Sequence, residues 1–371
     1  MAETKNPFDT PSALPYELPP FAEIRPEHYL PAFERAFDEQ LREISAITRV
    51  RSMPTFENTM VALEESGLRL DAVAHAFYTV ASADATPEYQ QLDETLAPLM
   101  SAHSDAIRLD SALYWRVKTL HDRIDDLELN PEQRYLLERH FREMTHAGAA
   151  LDDETKEQLK ALNLRLSTLT NAFEKQLLAD TNEFALIIDD PDELDGLTSG
   201  ERSAAAQAAA DSGHEGAFAL TLTLYTGHPY LSSLTNRDTR KRLMDASRAR
   251  AQRGNANDNS AVLLEIVRLR AERAALLGYD THAAYITADE TAGSPEAVHT
   301  LLRNLAVPAA ANARREQAAL QEIIDAEPTP FALEAHDWAF YTEKVRKAKY
   351  DIDTTALRPW FEAERVLQDG V

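Results

Sequence analysis

The chain has 371 residues, of which 44% are hydrophobic, and carries a formal net charge of −24 at pH 7. This acidic balance argues against a general surface for nucleic acid or anionic membrane. The absence of cysteine excludes disulfides, thiol catalysis and cysteine metal ligands. Glycine is scarce, with 11 residues where average usage would give roughly 25. A chain poor in glycine and rich in Ala, Leu, Glu and Arg favours helices, so we expect a mainly α fold.

The N-terminus shows no basic region followed by an apolar run, and no stretch approaches 18 consecutive apolar residues. The sequence therefore predicts neither a signal peptide nor a membrane span. Together with the lack of cysteine, this pattern favours a cytoplasmic protein. We expect no nucleic-acid partner and no membrane partner.

Residues 1–31 are rich in proline, which removes a backbone donor and interrupts helices. The seven prolines are Pro7, Pro11, Pro15, Pro19, Pro20, Pro26 and Pro31. Apolar residues such as Phe8, Tyr16 and Phe21 lie between them and provide anchors. We predict an extended arm over 1–31 that is strapped onto a helical region over 32–371.

A long amphipathic helix is predicted over 152–178. Its apolar residues recur at spacings of three and four, as one face of a helix requires. They are Leu159, Leu162, Leu166, Leu169, Phe173 and Leu177. This stripe favours packing within the chain, and a coiled-coil dimer is the alternative. Two other helix starts are indicated by Thr86-Pro87 and Asn130-Pro131, where a capping side chain precedes a proline.

A small β element interrupts the helices. Apolar side chains alternate with Ala, Thr and Tyr over 217–225, which is strand periodicity, and 184–189 is the predicted partner strand. Between the two strands, Thr198 and Glu201 form a capping box that begins a helix ending at Asp211. The prediction is therefore an elongated multi-helix body with one small β element.

The helix predicted to begin at Asn236 and the segment after it are basic within an acidic chain. The cluster consists of Arg237, Arg240, Lys241, Arg242, Arg248, Arg250 and Arg253. One interpretation is a contact with an anion or a peptide carboxylate. The other is a solvated helix face that is paired with acidic neighbours. The sequence favours the second interpretation without excluding the first.

Aromatic residues concentrate near the end of the chain, where 7 of the 28 lie within 31 residues. They are Phe331, Trp338, Phe340, Tyr341, Tyr350, Trp360 and Phe361. Aromatic side chains have large areas to bury, so this segment is either one wall of a ligand cleft or part of a core. The candidate cleft positions are Trp338, Phe340, Tyr341, Glu343, Arg346 and Tyr350.

These 371 residues contain no complete catalytic motif. A zinc-peptidase helix needs His-Glu-x-x-His, which places two imidazoles on one face beside a carboxylate. His214-Glu215 begins this pattern, but the second histidine is replaced by Phe218. Nucleophile-elbow, phosphate-loop and dinucleotide motifs are also missing from the sequence. No catalytic residue and no metal ligand is therefore predicted.

Short motifs along nearly the whole chain nevertheless resemble those of one enzyme family. They include Asn6-Pro7-Phe8, Leu18-Pro19-Pro20-Phe21, Phe56-Glu57-Asn58-Thr59, Leu276-Leu277-Gly278-Tyr279 and Trp338-Ala339-Phe340-Tyr341. Each motif is modest alone, but their order makes them jointly specific. The chain resembles the N-terminal half of the bacterial peptidyl-dipeptidases, within the thimet oligopeptidase-like zinc metallopeptidases.

The resemblance implies half of a helical, channel-containing peptidase in which a zinc-activated water cleaves short peptides and releases C-terminal dipeptides. It also implies that the zinc ligands lie in a catalytic half that is absent from these residues. We therefore expect this chain alone to bind no zinc and to be inactive. Its expected partners are short peptides in the full enzyme and a separate C-terminal half. The alternative is a non-catalytic helical protein that binds peptides or another protein.

Overall fold

The computed structural model describes residues 6–223, 229–350 and 357–370. Within these ranges the protein is mainly helical and has one two-stranded antiparallel sheet, which confirms the predicted fold class. The chain forms two compact units. The first unit comprises Met1–Lys175 and Ala261–Pro295, and the second comprises Gln176–Ser260 and Glu296–Val371. No described helix combines the length and the apolar character needed to cross a bilayer.

The helices of the first unit come from two stretches of the chain, and the residues between those stretches belong to the second unit. Its helices are α1 (Pro26–Thr48), α2 (Ala62–Glu64), α3 (Leu68–Ala83), α4 (Pro87–Arg108), α5 (Ser111–His121), α6 (Pro131–Ala147), most of α7 (Asp153–Glu183), α11 (Ser260–Leu276) and α12 (His282–Thr287).

The second unit contains the sheet and the remaining helices. Its elements are β1 (Ala185–Ile188), α8 (Ser199–Asp211), β2 (Phe218–Thr221), α9 (Tyr230–Ser233), α10 (Arg237–Arg248), α13 (Pro295–Asp325), α14 (Trp338–Tyr350) and α15 (Ala363–Gly370).

The N-terminal segment is fastened to α1. Asn6 donates from Nδ2 to the carbonyl oxygen of His28 at 2.8 Å, and the rings of Phe8 and Tyr29 lie 5.4 Å apart. Helix α1 begins at Pro26, earlier than the sequence pattern predicted, and continues through Pro31. Proline is favoured at the first position of a helix, which accounts for the earlier start. The division into an arm over 1–31 and a helical region over 32–371 stays a prediction.

Helix starts follow the capping residues. α6 begins at Pro131, and its cap Asn130 accepts a hydrogen bond at Oδ1 from the amide of Gln133 at 2.9 Å. α8 begins after Thr198, with the predicted capping box in place. α4 begins at Pro87, but the Thr86 side chain makes no capping bond to its backbone. The proline alone therefore marks that start.

The two strands pair where the sequence predicted a β element. Ala185 faces Thr221 and Ile188 faces Phe218 in an antiparallel register. Ile188 and Leu220 are buried in the core beneath the sheet. Of the longer strand predicted over 217–225, residues 224 and 225 lie outside the described residues.

The apolar stripe of α7 packs within the chain, as the sequence favoured. Leu166 and Leu169 are buried against Ile266 and Leu269 of α11. Antiparallel pairing of the two helices is reinforced by Arg165, whose Nε and Nη2 each lie 2.8 Å from a carboxylate oxygen of Glu265. This contact leaves no need for the coiled-coil alternative to explain the stripe.

Candidate functional site

The basic cluster of α10 is largely neutralised by contacts within the second unit. Arg237 and Arg240 share the carboxylate of Asp337, with nitrogen–oxygen distances of 2.8 Å to each oxygen. Further pairs join Arg242 to Glu193, Lys241 to Asp245 and Arg253 to Asp180. Of the two interpretations, the geometry therefore supports pairing with acidic neighbours for these residues.

Asp337 is the buried centre of this arrangement. Its side chain is inaccessible to solvent, and that of Arg240 is 1% exposed. Arg240 also donates to the carbonyl oxygens of Leu234 and Thr235 at 2.8 and 3.1 Å. Burial by itself would raise the pKa of Asp337, but the hydrogen bonds from Arg237 and Arg240 lower it below its usual value. The carboxyl group is therefore held ionised.

Three of the predicted cleft residues pack around this pair. Trp338, Phe340 and Tyr341 lie in one apolar cluster with Leu320 and Ile324 of α13. The guanidinium of Arg240 lies 4.3 Å from the centre of the Phe340 ring, which is a cation–π distance. These contacts are what the core interpretation of the aromatic segment requires.

Tyr341 is anchored at its polar end. Its hydroxyl donates to Oε1 of Glu327 at 2.9 Å, and Lys344 donates to the same oxygen at 2.9 Å. Burial, with a further contribution from Glu327, raises the pKa of Tyr341 to about 12. A neutral phenol with a fixed acceptor stabilises the fold, and it is a poor proton donor or acceptor near neutral pH.

The other three predicted cleft residues are not gathered with them. Glu343 and Arg346 form an ion pair along α14, in which Arg346 Nε donates to Glu343 Oε2 at 2.7 Å. Tyr350 is 67% exposed at the end of the helix. Trp360 and Phe361, further along the aromatic segment, are also exposed. A role of the six positions in a cleft stays a prediction.

A metal site depends on the donor groups that the structure places together. Zinc takes nitrogen, sulfur and carboxylate ligands and needs at least three protein ligands converging on one point. Within the described ranges, no three His, Asp or Glu side chains converge in this way. The described residues therefore do not fit the zinc that the family resemblance implies.

The first unit contains a polar cavity of about 570 Å³ that the sequence did not predict. It is lined by side chains of α4, α6, α7, α11 and α12, among them Asp105, Arg273 and Tyr285. These residues are 12 to 180 positions apart, and no short motif connects them. Only the antiparallel packing of α4 and α11 on α7 brings them together.

Comparisons with known proteins relate the sequence of this chain to a family of peptidases. Residues 230–371 match the sequence model described as Peptidase family M3. That segment includes α10, Asp337 and the aromatic cluster of the second unit. The comparisons therefore relate this chain to the M3 metallopeptidases and confirm the resemblance found in its motifs.

Among particular relatives, the chain is 37% identical to the dipeptidyl carboxypeptidase of Salmonella typhimurium, over 99% of its own length and 54% of the relative. It is 36% identical to the Escherichia coli dipeptidyl carboxypeptidase, over 99% of this chain and 54% of that one. Identity to Escherichia coli oligopeptidase A is 29%, covering 96% of this chain and 53% of that protein. The chain thus spans about half the length of the curated relatives it matches.

Proposed function

We propose that this chain is one portion of a zinc metallopeptidase that hydrolyses short peptides and releases C-terminal dipeptides. The observation that carries the proposal is the 37% identity to a dipeptidyl carboxypeptidase over 99% of this chain. The activity is proposed for this chain together with the part of the enzyme that it does not align with, and not for these residues alone.

The zinc ligands in this proposal come from sequence outside these 371 residues. Two observations support that assignment: the sequence has no His-Glu-x-x-His, and the described side chains do not assemble three ligands. We therefore predict that the purified chain binds no catalytic zinc. We also propose that the protein is cytoplasmic. The absence of cysteine is consistent with this location, because disulfides are rare in cytosolic proteins.

Apolar side chains on the surface of the second unit support a further polypeptide partner. The exposed residues are Leu301, Leu302, Leu305, Val307, Tyr350, Leu357, Trp360, Phe361, Val366 and Leu367. Leu301, Leu302 and Leu305 share one face of α13, and contiguous exposed apolar patches mark interaction sites. We propose that the catalytic portion of the peptidase, on the same or a separate chain, covers part of this surface.

Mixing two polypeptides tests the proposed function. One is this chain, and the other is the part of the Salmonella dipeptidyl carboxypeptidase that lies outside the region aligned with it. With zinc and a blocked tetrapeptide, we expect dipeptide release from the mixture and none from this chain alone. The controls are the Salmonella segment alone and the same segment mixed with heat-unfolded chain.

Two results would count against the proposal. Zinc-dependent cleavage by the chain alone would show that it carries its own catalytic centre. A mixture that binds the tetrapeptide without cleaving it would favour the alternative of a non-catalytic peptide-binding protein.

A further inference from the structure

The polar cavity of the first unit has the dimensions of a ligand site. Its volume of about 570 Å³ lies within the range of small-molecule pockets, roughly 300–1,000 Å³. The hydroxyls of Ser101, Ser104 and Ser167 line it, together with the ring of Tyr285. The site is distinct from the α10–α14 cluster and lies in the other unit.

Three arginines line the cavity. Arg108 stands at the end of α4, and Arg270 and Arg273 stand one turn apart on α11. Among the described residues, none of the three has a carboxylate within 4 Å. By contrast, Arg268 on the same helix pairs with Glu272, and Arg165 of α7 pairs with Glu265. The cavity arginines therefore lack the acidic partners that arginines nearby on the same and adjacent helices have.

Arg273 is the most constrained of these three arginines. Its Nε is buried and has no hydrogen-bond partner in the described structure. Its Nη1 reaches Asn163 Oδ1 only at 3.4 Å, and its guanidinium lies 5.3 Å from the Tyr285 ring centre. Burial, and then the neighbouring Arg270, lower the pKa of Arg273. A buried donor without an acceptor is destabilising, so an incoming acceptor would be stabilised there.

The nearest acid does not fill this role. Asn163 donates from Nδ2 to both oxygens of Asp105, at 2.9 and 3.1 Å, and so lies between that carboxylate and Arg273. Burial raises the pKa of Asp105, and the opposing effects of Asn163, Lys160, Arg108 and Arg273 do not cancel it. Asp105 therefore does not neutralise the arginines. Their guanidinium groups keep donors that can bind an external anion.

We propose that this cavity binds the oxyanion group of a small ligand, a carboxylate or a phosphate, at Arg270 and Arg273. Guanidinium groups hold such oxygens through paired, charge-assisted hydrogen bonds. Asp93 and Glu174 also line the cavity, and Asp93 precedes Arg108 on α4 by 15 residues, or about 22 Å along the helix. A short peptide with free ends would match both charges, whereas inorganic phosphate would use the arginines alone.

Calorimetric titration of the 371-residue chain tests the proposal without requiring any catalytic activity, so it stands or falls independently of the proposed function. The probes are tetraalanine, tetraalanine amide and inorganic phosphate. We expect binding of at least one oxyanion probe. For that probe, Arg273→Gln should weaken binding by about tenfold or more, because charge-assisted hydrogen bonds are lost. Arg268→Gln on the same helix is the matched control and should bind like the unchanged chain.

The pattern of binding identifies the source of the oxyanion. Tetraalanine binding that the amide lacks assigns a peptide carboxylate, and phosphate binding without peptide binding assigns a phosphate ligand. Arg273→Lys retains the charge and keeps the test decisive if circular dichroism shows that Arg273→Gln is unfolded. The proposal is overturned if no oxyanion probe binds. It is also overturned if tetraalanine amide binds as tightly as tetraalanine while phosphate does not bind. The third contradicting outcome is that Arg268→Gln weakens binding as much as the Arg273 variants do.

Discussion

At the scale of single residues, Asp337 connects two segments that lie about 100 positions apart. It receives Arg237 and Arg240 from α10 and lies beside the aromatic cluster of α14. The sequence indicated that α10 was basic and that the last segment was aromatic, but it gave no sign that one carboxylate joins them. A pairing over this distance in the chain depends on tertiary packing, which spacing alone does not encode.

Replacing Asp337 with Asn should destabilise the chain by about 3–5 kcal/mol, because the variant leaves the guanidinium of Arg240 buried without its counter-ion. Urea unfolding followed by circular dichroism measures the change. Asp238→Asn is the matched control, since Asp238 also faces an arginine of α10 but is 76% exposed. Its change should stay within about 1 kcal/mol. Equal losses of unfolding free energy in the two variants would show that the buried Asp337–Arg240 pair contributes no more than an exposed pair.

The stabilisation from Asp337 should also depend on pH. The folded-state pKa of this carboxyl lies below its reference value of 3.8, so its contribution is complete above the unfolded pKa and is lost as pH falls through the folded one. The difference in unfolding free energy between the unchanged chain and Asp337→Asn should be constant above about pH 5 and shrink below it. A difference that stays constant down to the acid unfolding limit would contradict this assignment.

At the scale of elements, local sequence signals predicted where helices begin better than they predicted which elements pack together. Proline and capping residues located α4, α6 and α8, because the bonds that begin a helix are made within three or four residues of each other. Alternation over 217–225 predicted the second strand, and 184–189 was predicted as its partner. Helix α1 starts at Pro26, because a proline at the first position of a helix lacks only a donor that the first turn leaves unpaired, and it continues through Pro31.

Two glycines that flank α8 provide a matched test of backbone geometry. Both have left-handed φ angles, +94° at Gly196 and +83° at Gly213. A Cβ on Gly196 would lie 1.9 Å from the carbonyl oxygen of Ser233, whereas one on Gly213 would meet nothing within 4 Å.

Gly213→Ala should cost about 1–2 kcal/mol from the left-handed backbone alone. Gly196→Ala should cost about 1–3 kcal/mol more, because the backbone at Ser233 must shift. Chemical denaturation of the two variants gives the comparison. A loss at Gly213 as large as that at Gly196 would mean that the close approach to Ser233 does not govern stability.

At the scale of the whole molecule, the resemblance to M3 peptidases could be recognised from scattered motifs, but the candidate ligand site could not be predicted. The motifs that resemble M3 peptidases are short and local, and each can be read directly from the sequence. The arginine-lined cavity instead combines residues from five helices. Its proposed affinity for an oxyanion depends on the buried Nε of Arg273, which has no acceptor among the described residues. A sequence does not show whether a donor is paired in the folded state.

The net charge of −24 leads to a prediction for the molecule as a whole. Like charges repel one another in the compact state, and salt screens this repulsion as the Debye length falls from about 30 Å at 0.01 M to 10 Å at 0.1 M. Salt also weakens ion pairs, but exposed pairs such as Lys118–Asp122 each contribute only about 0–1 kcal/mol.

We therefore expect the thermal unfolding midpoint at pH 7 to rise as sodium chloride increases between those two concentrations, because relief of the repulsion outweighs the weakened exposed pairs. Differential scanning calorimetry measures the midpoint. The same titration near pH 4.8, the isoelectric point of the sequence, is the internal control and should show little or no rise, since the net charge there is close to zero. A midpoint that falls with salt at pH 7 would mean that the ion pairs, and not the excess of acidic groups, dominate the electrostatic free energy of folding.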